Sequence, residues 1–186
     1  MDLPSILLIA VGLSLDALAV SLCSGLAVPR IRLSHALRMA SFFGGFQMLM
    51  PVLGWLAGYG LRRFITGVDH WIAFGLLLLV GGKMIYEALR ENSCEARPDP
   101  FRWGTLFALA VATSIDALAV GVTFSLLTTS LVLPVAMIGA VTFSLSFGGV
   151  LAGRRIAGFL GNKVEIAGGV ILIGIGLKIL IEHLAA

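Results

Sequence analysis

Charge is scarce in this sequence. Only 12% of the 186 residues are charged, whereas 59% are hydrophobic, and the mean hydropathy is +1.03. A soluble domain has roughly 25% charged residues, so an ordinary soluble domain is excluded. The net charge of +3 comes from basic residues spread over the connecting stretches rather than clustered in one patch. We therefore expect no nucleic-acid binding.

Several familiar motifs are also missing. No Walker A motif is present, which removes ATP as a direct energy source. Only Asp2 precedes the first apolar run, which is longer than the core of roughly 7–15 residues found in a signal peptide. We therefore expect this run to be a spanning helix. Cys23 and Cys94 form no CxxC motif, and we expect neither a disulfide nor a redox function from them.

Long apolar segments account for most of the chain. A membrane-spanning helix needs about 20 mostly apolar residues. We predict an all-α membrane protein with six transmembrane helices embedded in a lipid bilayer. The six predicted segments are residues 4–27, 36–60, 68–89, 102–127, 131–157 and 163–184.

The basic residues predict an orientation, because Lys and Arg favour the cytoplasmic side of a membrane. They concentrate after the first, third and fifth segments, whereas the opposite side has only Arg62 and Arg63. Both termini are therefore predicted to lie outside the cytoplasm. The residues on the predicted cytoplasmic side are Arg30, Arg32, Arg38, Arg90, Arg97, Arg102, Arg154, Arg155 and Lys163.

The sequence contains an internal repeat. The string "LSLDALAV" at 13–20 returns as "TSIDALAV" at 113–120, and the second and third segments match the fifth and sixth at an offset of 95. Because each repeat has three helices, the second copy must enter the membrane from the opposite side. We predict two inverted three-helix repeats, 1–89 and 102–186, joined by a charged cytoplasmic loop at 90–101. Transporters often have this design, with the substrate site near the midplane.

Each repeat contains an acid within an apolar helix, Asp16 in the first and Asp116 in the fourth segment. A carboxylate at mid-membrane costs about 2.5–3.5 kcal/mol on insertion scales. Two nearby carboxylates ionise together only with a cation between them, and otherwise one retains a proton. The pair predicts a divalent-cation site that exchanges metal for protons. The alternative is that each aspartate is protonated and bonded to helix backbone, in a purely structural role.

Neutral oxygen ligands are expected from the second and fifth segments. Gln47 and Thr142 occupy equivalent positions on small or polar helix faces, and Ser146 follows one turn later as a weaker candidate. Oxygen ligands suit Mg²⁺, Ca²⁺ or Mn²⁺. The alternative for Gln47 and Thr142 is hydrogen bonding between helices. Asp69, near the outer mouth of the third segment, is a further weak candidate.

The small residues beside these candidates have a packing interpretation. We expect the Gly-x-x-x-Gly pairs of the second and fifth segments to allow close helix contact. Ser14 and Ser114 are expected to bond back to helix carbonyls unless the helix is broken there. A soft-metal alternative would recruit Cys23, Met48 and Met50, although methionine is usually apolar filler. The glycine pairs are Gly54 with Gly58, and Gly149 with Gly153.

With these features in view, the chain resembles the manganese efflux pump family (MntP). The resemblance extends over essentially the whole chain, and the strings that carry it are "SLDALAVS", "GGFQMLMPVLGW", "DHWIAFGLLLLVGGKMIYE", "ATSIDALAVG" and "EIAGGVILIGIGLKIL". It implies a six-helix exporter of Mn²⁺ in the bacterial inner membrane, without enzymatic activity. Mn²⁺ is then cargo rather than a cofactor, and the intramembrane acids map onto Asp16 and Asp116. From the two acids themselves we expect protons as the counter-ion.

Two other functions stay open at this point. One is export of another divalent cation or of a small solute such as an amino acid, since an amino-acid site would also use polar groups at the midplane. A more remote one is an intramembrane aspartyl protease, which would also use two membrane-embedded aspartates. Such proteases share a GxGD string that this chain lacks. The oligomeric state is not predicted by any of these features.

Overall fold

The computed structural model describes residues 3–28, 30–61, scattered positions between 71 and 89, 99–127 and 130–184. These residues contain helices and connecting turns but no β-strand. The scattered positions between 71 and 89 are all helical. The helices with stated bounds are α1 (Leu3–Ala27), α2 (Leu33–Leu61), α3 (Trp103–Thr113), α4 (Ile115–Leu127) and α5 (Val132–Leu184).

Four stretches of the described residues are long and apolar enough to cross a membrane, namely Leu3–Ala27, Leu33–Gly60, Trp103–Ser125 and Val132–Gly153. Large apolar side chains such as Leu8, Phe107 and Leu133 are exposed, whereas the polar side chains of Gln47, Thr142 and Ser146 are buried. A water-soluble fold has the opposite arrangement. The prediction of an all-α membrane protein is confirmed.

The helix α5 reverses its direction. Ile138 and Ile175 belong to one core cluster with Ile9, although a straight helix would separate them by about 55 Å at ~1.5 Å per residue. Gly153 lies against the carbonyl of Leu22 near the end of α1, whereas Lys178 donates to Ser5 Oγ near its start, at 2.8 Å. The chain therefore turns back between residues 153 and 171. We call 132–153 the outgoing limb and 171–184 the returning limb.

This reversal differs from the predicted gap between the fifth and sixth segments. Residues 158–162 were expected to leave the helix, but their backbone is helical throughout. No proline follows Pro134, so every backbone N–H in the region is available to donate. The change of direction consequently occurs without a non-helical loop.

The predicted fourth segment, 102–127, is also different, because it is broken at Ser114. The hydroxyls of Thr113 and Ser114 donate to the carbonyls of Leu109 and Ala110, at 2.9 and 2.6 Å. The Ser114 N–H then bonds the Val111 carbonyl at 3.2 Å, and the backbone takes φ −113° and ψ 4°. Side-chain bonds of this kind compete with the helical ladder. They account for the interruption of the helix at one residue, Ser114, between α3 and α4.

Contacts between helices establish their relative directions. Gln47 bonds the Leu13 carbonyl, and Ala17 shares a cluster with Phe43, so α1 and α2 are antiparallel. On α1, Ser14 meets Thr142 and later residues meet Gly149 and Gly153, which makes α1 and the outgoing limb parallel. Gly54 and Gly58 meet Leu118 and Val122 in the same order, so α2 and α4 are parallel as well. It follows that α1 and α4 are antiparallel.

One end of the molecule collects three of the basic stretches, and we call it the Arg-bearing end. His35 stacks on Phe101 with ring centroids 4.6 Å apart, and the Arg38 guanidinium lies 4.7 Å from the centroid of the Trp103 ring. Gly25 contacts Val150 and Gly153 near the same end. A cavity of about 420 Å³ opens here, lined by Ala27, Val28, His35, Arg38, Asp99, Pro100 and Phe101.

Cys23 also lies towards this end, in the last part of α1. It is not a free thiol but is disulfide-bonded, so our expectation of unpaired cysteines is wrong for this residue. Cys94 lies outside the described residues. The absence of a CxxC motif does not exclude a disulfide between cysteines that are distant in sequence, which is why the prediction from their spacing was wrong.

Candidate cation site

A polar junction lies inside the bundle at residues 13 and 14 of α1. Gln47 Nε2 on α2 donates to the Leu13 carbonyl at 3.1 Å. Ser14 Oγ and Thr142 Oγ1, on the outgoing limb, are 2.8 Å apart. Ser14 Oγ also donates to the Ala10 carbonyl at 2.5 Å. Because Gln47, Ser14 and Thr142 are at most 1% exposed, three helices meet here through polar groups shielded from lipid.

Gln47 brings two oxygens to this junction. Its side-chain Oε1 is buried and has no hydrogen-bond partner among the described residues. Its backbone carbonyl is four residues before Pro51, which lies inside α2 and has no N–H to donate to it. Buried polar atoms nearly always have a partner. The Gln47 Oε1 atom has no partner within the described part of the chain, and the Gln47 carbonyl oxygen has no helical N–H donor. Together these two oxygens could bind a cation.

Asp116 occupies the first turn of α4, directly after the break at Ser114. Its side chain is buried, with 8% exposed, and the Ala117 N–H donates to its Oδ1 at 2.8 Å. The positive end of a helix dipole favours a carboxylate at this position. The break therefore places an acid at a helix N-terminus in the middle of a predicted span, as in the discontinuous helices of transporters.

Asp16 lies on α1, two positions after Ser14, and is partly buried. Ser146 is fully buried on the outgoing limb, one turn after Thr142. Asp69 lies outside the described residues. The structure thus joins Gln47 and Thr142 to α1 at Leu13 and Ser14, whereas the pairing of Asp16 with Asp116 stays a prediction.

Oxygen atoms are the ligands available at this junction, and few of them belong to charged side chains. Among the described residues, no three His, Cys, Asp or Glu side chains come together to hold a metal ion. A cation would therefore depend on two carboxylates supplemented by neutral oxygens. The soft-metal alternative loses support, since Cys23 is disulfide-bonded and Met48 is exposed on the surface of α2.

The sequence did not indicate Ser14 as the partner of Thr142. The recurrence of serine at positions 14 and 114 was the available signal, and it supported only a backbone role. That role is confirmed, because both hydroxyls bond a carbonyl four residues earlier, Ala10 and Ala110. The second bond of Ser14 depends on which helix lies against α1, and a single sequence does not reveal that neighbour.

The fold and the junction define a multi-pass helical membrane protein with a buried, oxygen-rich centre. Comparison with known sequences gives the family. The profile described as "Putative manganese efflux pump" matches residues 30–180, and the chain belongs to this family. No solved structure matches the chain.

Individual relatives match over nearly their whole length. A protein of Crocosphaera subtropica named "Putative manganese efflux pump MntP" is 52% identical over 184 residues, which cover 99% of this chain and 98% of the relative. A protein of Methanosarcina mazei with the same name is 53% identical, over 95% of each chain. One from Clostridium botulinum is 45% identical, over 98% of this chain and 96% of its own.

Proposed function

We propose that this protein exports Mn²⁺ from the bacterial cytoplasm across the inner membrane. The observation that carries the proposal is the buried junction at α1, where Gln47 Oε1 has no partner among the described residues and Thr142 is fully buried. Oxygen ligands of this kind suit a hard divalent cation. Membership in the manganese efflux pump family selects Mn²⁺ within that class.

The metal site consists of two acids and two neutral ligands. Asp16 and Asp116 supply the negative charge, while Gln47 on α2 and Thr142 on the outgoing limb supply neutral oxygens. The position of Asp116 at the N-terminus of α4, directly after the break in the span, supports its assignment as a ligand. Ser146 is a weaker ligand candidate one turn away, and Asp69 is a weak candidate for receiving the ion at the outer mouth.

The site lies between two inverted three-helix repeats, 1–89 and 102–186, joined by a loop at 90–101. Support comes from contacts that correspond under the offsets of the repeat. Gly54 faces the Leu118 carbonyl as Gly149 faces Leu18, and Gly58 faces Val122 as Gly153 faces Leu22. The antiparallel directions of α1 and α4 agree with inversion. We infer six transmembrane helices from this arrangement.

The Arg-bearing end faces the cytoplasm, which leaves both termini outside, because basic residues favour that side. Protons are the counter-ion. After Mn²⁺ leaves, the carboxylates of Asp16 and Asp116 lose the charge that allowed both to ionise, and protonation of one or both of them resets the carrier. The protein is thus a metal/proton antiporter rather than an enzyme.

Everted vesicles containing the purified protein test this function. The vesicles are supplied separately with Mn²⁺, Mg²⁺, Cd²⁺ and an amino-acid mixture, and a pH-sensitive dye reports proton movement. We expect Mn²⁺ uptake with proton release from the lumen, and both signals should disappear in Asp16→Asn. Equal transport of Mg²⁺ or Cd²⁺, or amino-acid transport without Mn²⁺ transport, would overturn the manganese assignment. Metal uptake without proton flux would overturn only the antiport step.

A further inference from the structure

Two close helix contacts extend in opposite directions from the centre of the molecule. In the first, α1 lies against the outgoing limb, and Gly153 leaves no room for a side chain beside the Leu22 carbonyl. This α1–α5 contact runs towards the Arg-bearing end. In the second, α2 lies against α4, and Gly54 leaves no room beside the Leu118 carbonyl. This α2–α4 contact runs towards the opposite end.

The two contacts correspond position by position, but their polar content differs. Ser21 and Ser146 lie in the α1–α5 contact. In the α2–α4 contact, the offset of 100 places Gly121 at the position of Ser21, and the offset of 95 places Pro51 at the position of Ser146. Gly121 is so close to the Pro51 carbonyl that no side chain fits between them. One contact is therefore apolar at this level, whereas the other holds two hydroxyls.

These two hydroxyls have no internal partner. Ser21 Oγ and Ser146 Oγ are fully buried and lack hydrogen bonds within the described part of the chain. Ser21 points into the contact, because its Cβ lies 3.0 Å from the position that a Cβ on Gly149 would take. By comparison, Ser125 in the α2–α4 contact donates to the Val122 carbonyl at 2.7 Å. Burying an unpartnered hydroxyl costs free energy that a partnered one does not.

We propose that the α1–α5 contact is the gate of the cation path at the Arg-bearing end, and that Ser21 and Ser146 line this path when the gate opens. In the described structure the gate is closed by glycine-to-carbonyl packing. When α1 and the outgoing limb separate, the two hydroxyls gain water or the passing cation as partners. Thr142 and Ser14 lie at the inner end of the same contact, which leads the path directly to the proposed metal site.

The difference in polar content between the two contacts predicts which end of the molecule opens more readily. Closing the α1–α5 gate leaves two hydroxyls unsatisfied, whereas closing the α2–α4 contact leaves none at the equivalent positions. The unloaded protein should therefore open more readily at the Arg-bearing end. This inference rests on the proposed function, in which that end faces the cytoplasm and an exporter must load its cation there.

Thiol labelling tests the gate without any metal. Ser146→Cys is made in a background with Cys23→Ser and Cys94→Ser, and a membrane-impermeant maleimide is added to vesicles of either orientation. Arg30→Cys, which is exposed, identifies the Arg-bearing face. We expect Ser146→Cys to react from that face alone. Reaction only from the other face, equal reaction from both faces, or no reaction in a folded protein would overturn the proposal.

Two glycine-to-alanine variants, each expected to push one pair of helices apart, test which end opens. Gly153→Ala and Gly54→Ala each place a methyl group against a backbone carbonyl, Leu22 in the first case and Leu118 in the second. We expect Gly153→Ala to accelerate labelling of Ser146→Cys about tenfold, because it holds the α1–α5 gate open. Gly54→Ala should slow the labelling, because it favours opening at the far end. A change in the same direction for both variants would contradict the gate.

A milder substitution tests the gate if the Gly153→Ala and Gly54→Ala variants do not fold. Ser21→Ala removes one unpartnered hydroxyl and should slow labelling at least threefold by stabilising the closed gate. Ser24→Ala is the control, since Ser24 Oγ already donates to the Val20 carbonyl at 2.7 Å, and it should leave the rate unchanged. An unchanged or faster rate in Ser21→Ala would overturn the proposal. The labelling is measured without metal, so its outcome does not depend on whether the protein transports Mn²⁺. Failure of the gate and failure of the proposed function can therefore be distinguished.

Discussion

Gly44 and Gly139 pack against each other where α2 crosses the outgoing limb. A Cβ on Gly44 would lie 3.2 Å from the Gly139 carbonyl oxygen, and one on Gly139 would lie 3.4 Å from the Gly44 oxygen. The two residues are counterparts at the offset of 95, and so are their neighbours Met48 and Phe143, each of which lies against the opposite glycine. Any two-fold relation between the halves of the molecule must pass through this crossing.

The crossing should be sensitive to added volume. Gly44→Leu is expected to lower the free energy of unfolding by about 1–3 kcal/mol, the usual effect of overpacking. Thermal unfolding in detergent would measure the change. Gly45→Leu is the matched control, because Gly45 is exposed and has no neighbour within 4 Å of an added Cβ. Equal melting temperatures for the two variants would contradict close packing at the crossing.

The bond between Ser14 and Thr142 should appear as a coupling energy. Unfolding of Ser14→Ala, Thr142→Val and the double variant forms a double-mutant cycle. We expect a coupling of about 0.6 kcal/mol and no more than about 1.7 kcal/mol, the range for hydrogen bonds between membrane helices. A parallel cycle with Ser24→Ala and Thr142→Val should give none, since Ser24 bonds its own helix. Strictly additive effects of Ser14→Ala and Thr142→Val would be evidence against the bond.

Thr113 should control the break before Asp116. The equivalent residue in the first repeat is Leu13, and α1 continues through Ser14 without interruption. Thr113→Leu removes the hydroxyl that bonds the Leu109 carbonyl, so α3 and α4 should join into one helix. Hydrogen exchange measured by mass spectrometry should then be slower at residues 114–117. Unchanged exchange would show that the Thr113 hydroxyl is not the cause of the break.

Much of this fold could be predicted from the sequence, because its signals are local. Apolar length predicted the spans, and the small residues Gly54, Gly58, Gly149 and Gly153 were expected to allow close contact, which is confirmed by their approach to facing helices. The burial of Gln47 and Thr142 followed from their position on a polar stripe. Each of these inferences depends on one helix at a time.

Features that depend on competition between bonds or on neighbouring helices could not be predicted. The break at Ser114 results from two hydroxyls competing for backbone carbonyls, whereas the equivalent serine of the first repeat, Ser14, leaves α1 intact. The reversal of α5 brings Ile175 into the core cluster that contains Ile9, and the sequence of α5 alone does not reveal that neighbour. The pairing of Ser14 with Thr142 requires the knowledge that α1 and the outgoing limb are parallel.

Gln47 should contribute to metal affinity through its unpartnered oxygen. Gln47→Met keeps a similar length and removes both polar atoms, and we expect the Mn²⁺ concentration for half-maximal uptake in everted vesicles to rise about tenfold, which corresponds to ~1.4 kcal/mol. Ser144→Ala is the control, because Ser144 is exposed and bonds the Ala140 carbonyl. Unchanged affinity in Gln47→Met would assign Gln47 to helix packing alone, through its bond to Leu13.

Equilibrium binding of Mn²⁺ to the purified protein tests the central claim, that one cation is held by Asp16 and Asp116 together. Isothermal titration calorimetry should give one site per chain in the unmodified protein and in Asp99→Asn, which removes an exposed carboxylate at the Arg-bearing end. Either Asp16→Asn or Asp116→Asn should abolish the binding, because each removes half of the charge that faces the cation. Retention of stoichiometric binding in folded Asp16→Asn or Asp116→Asn would contradict the account.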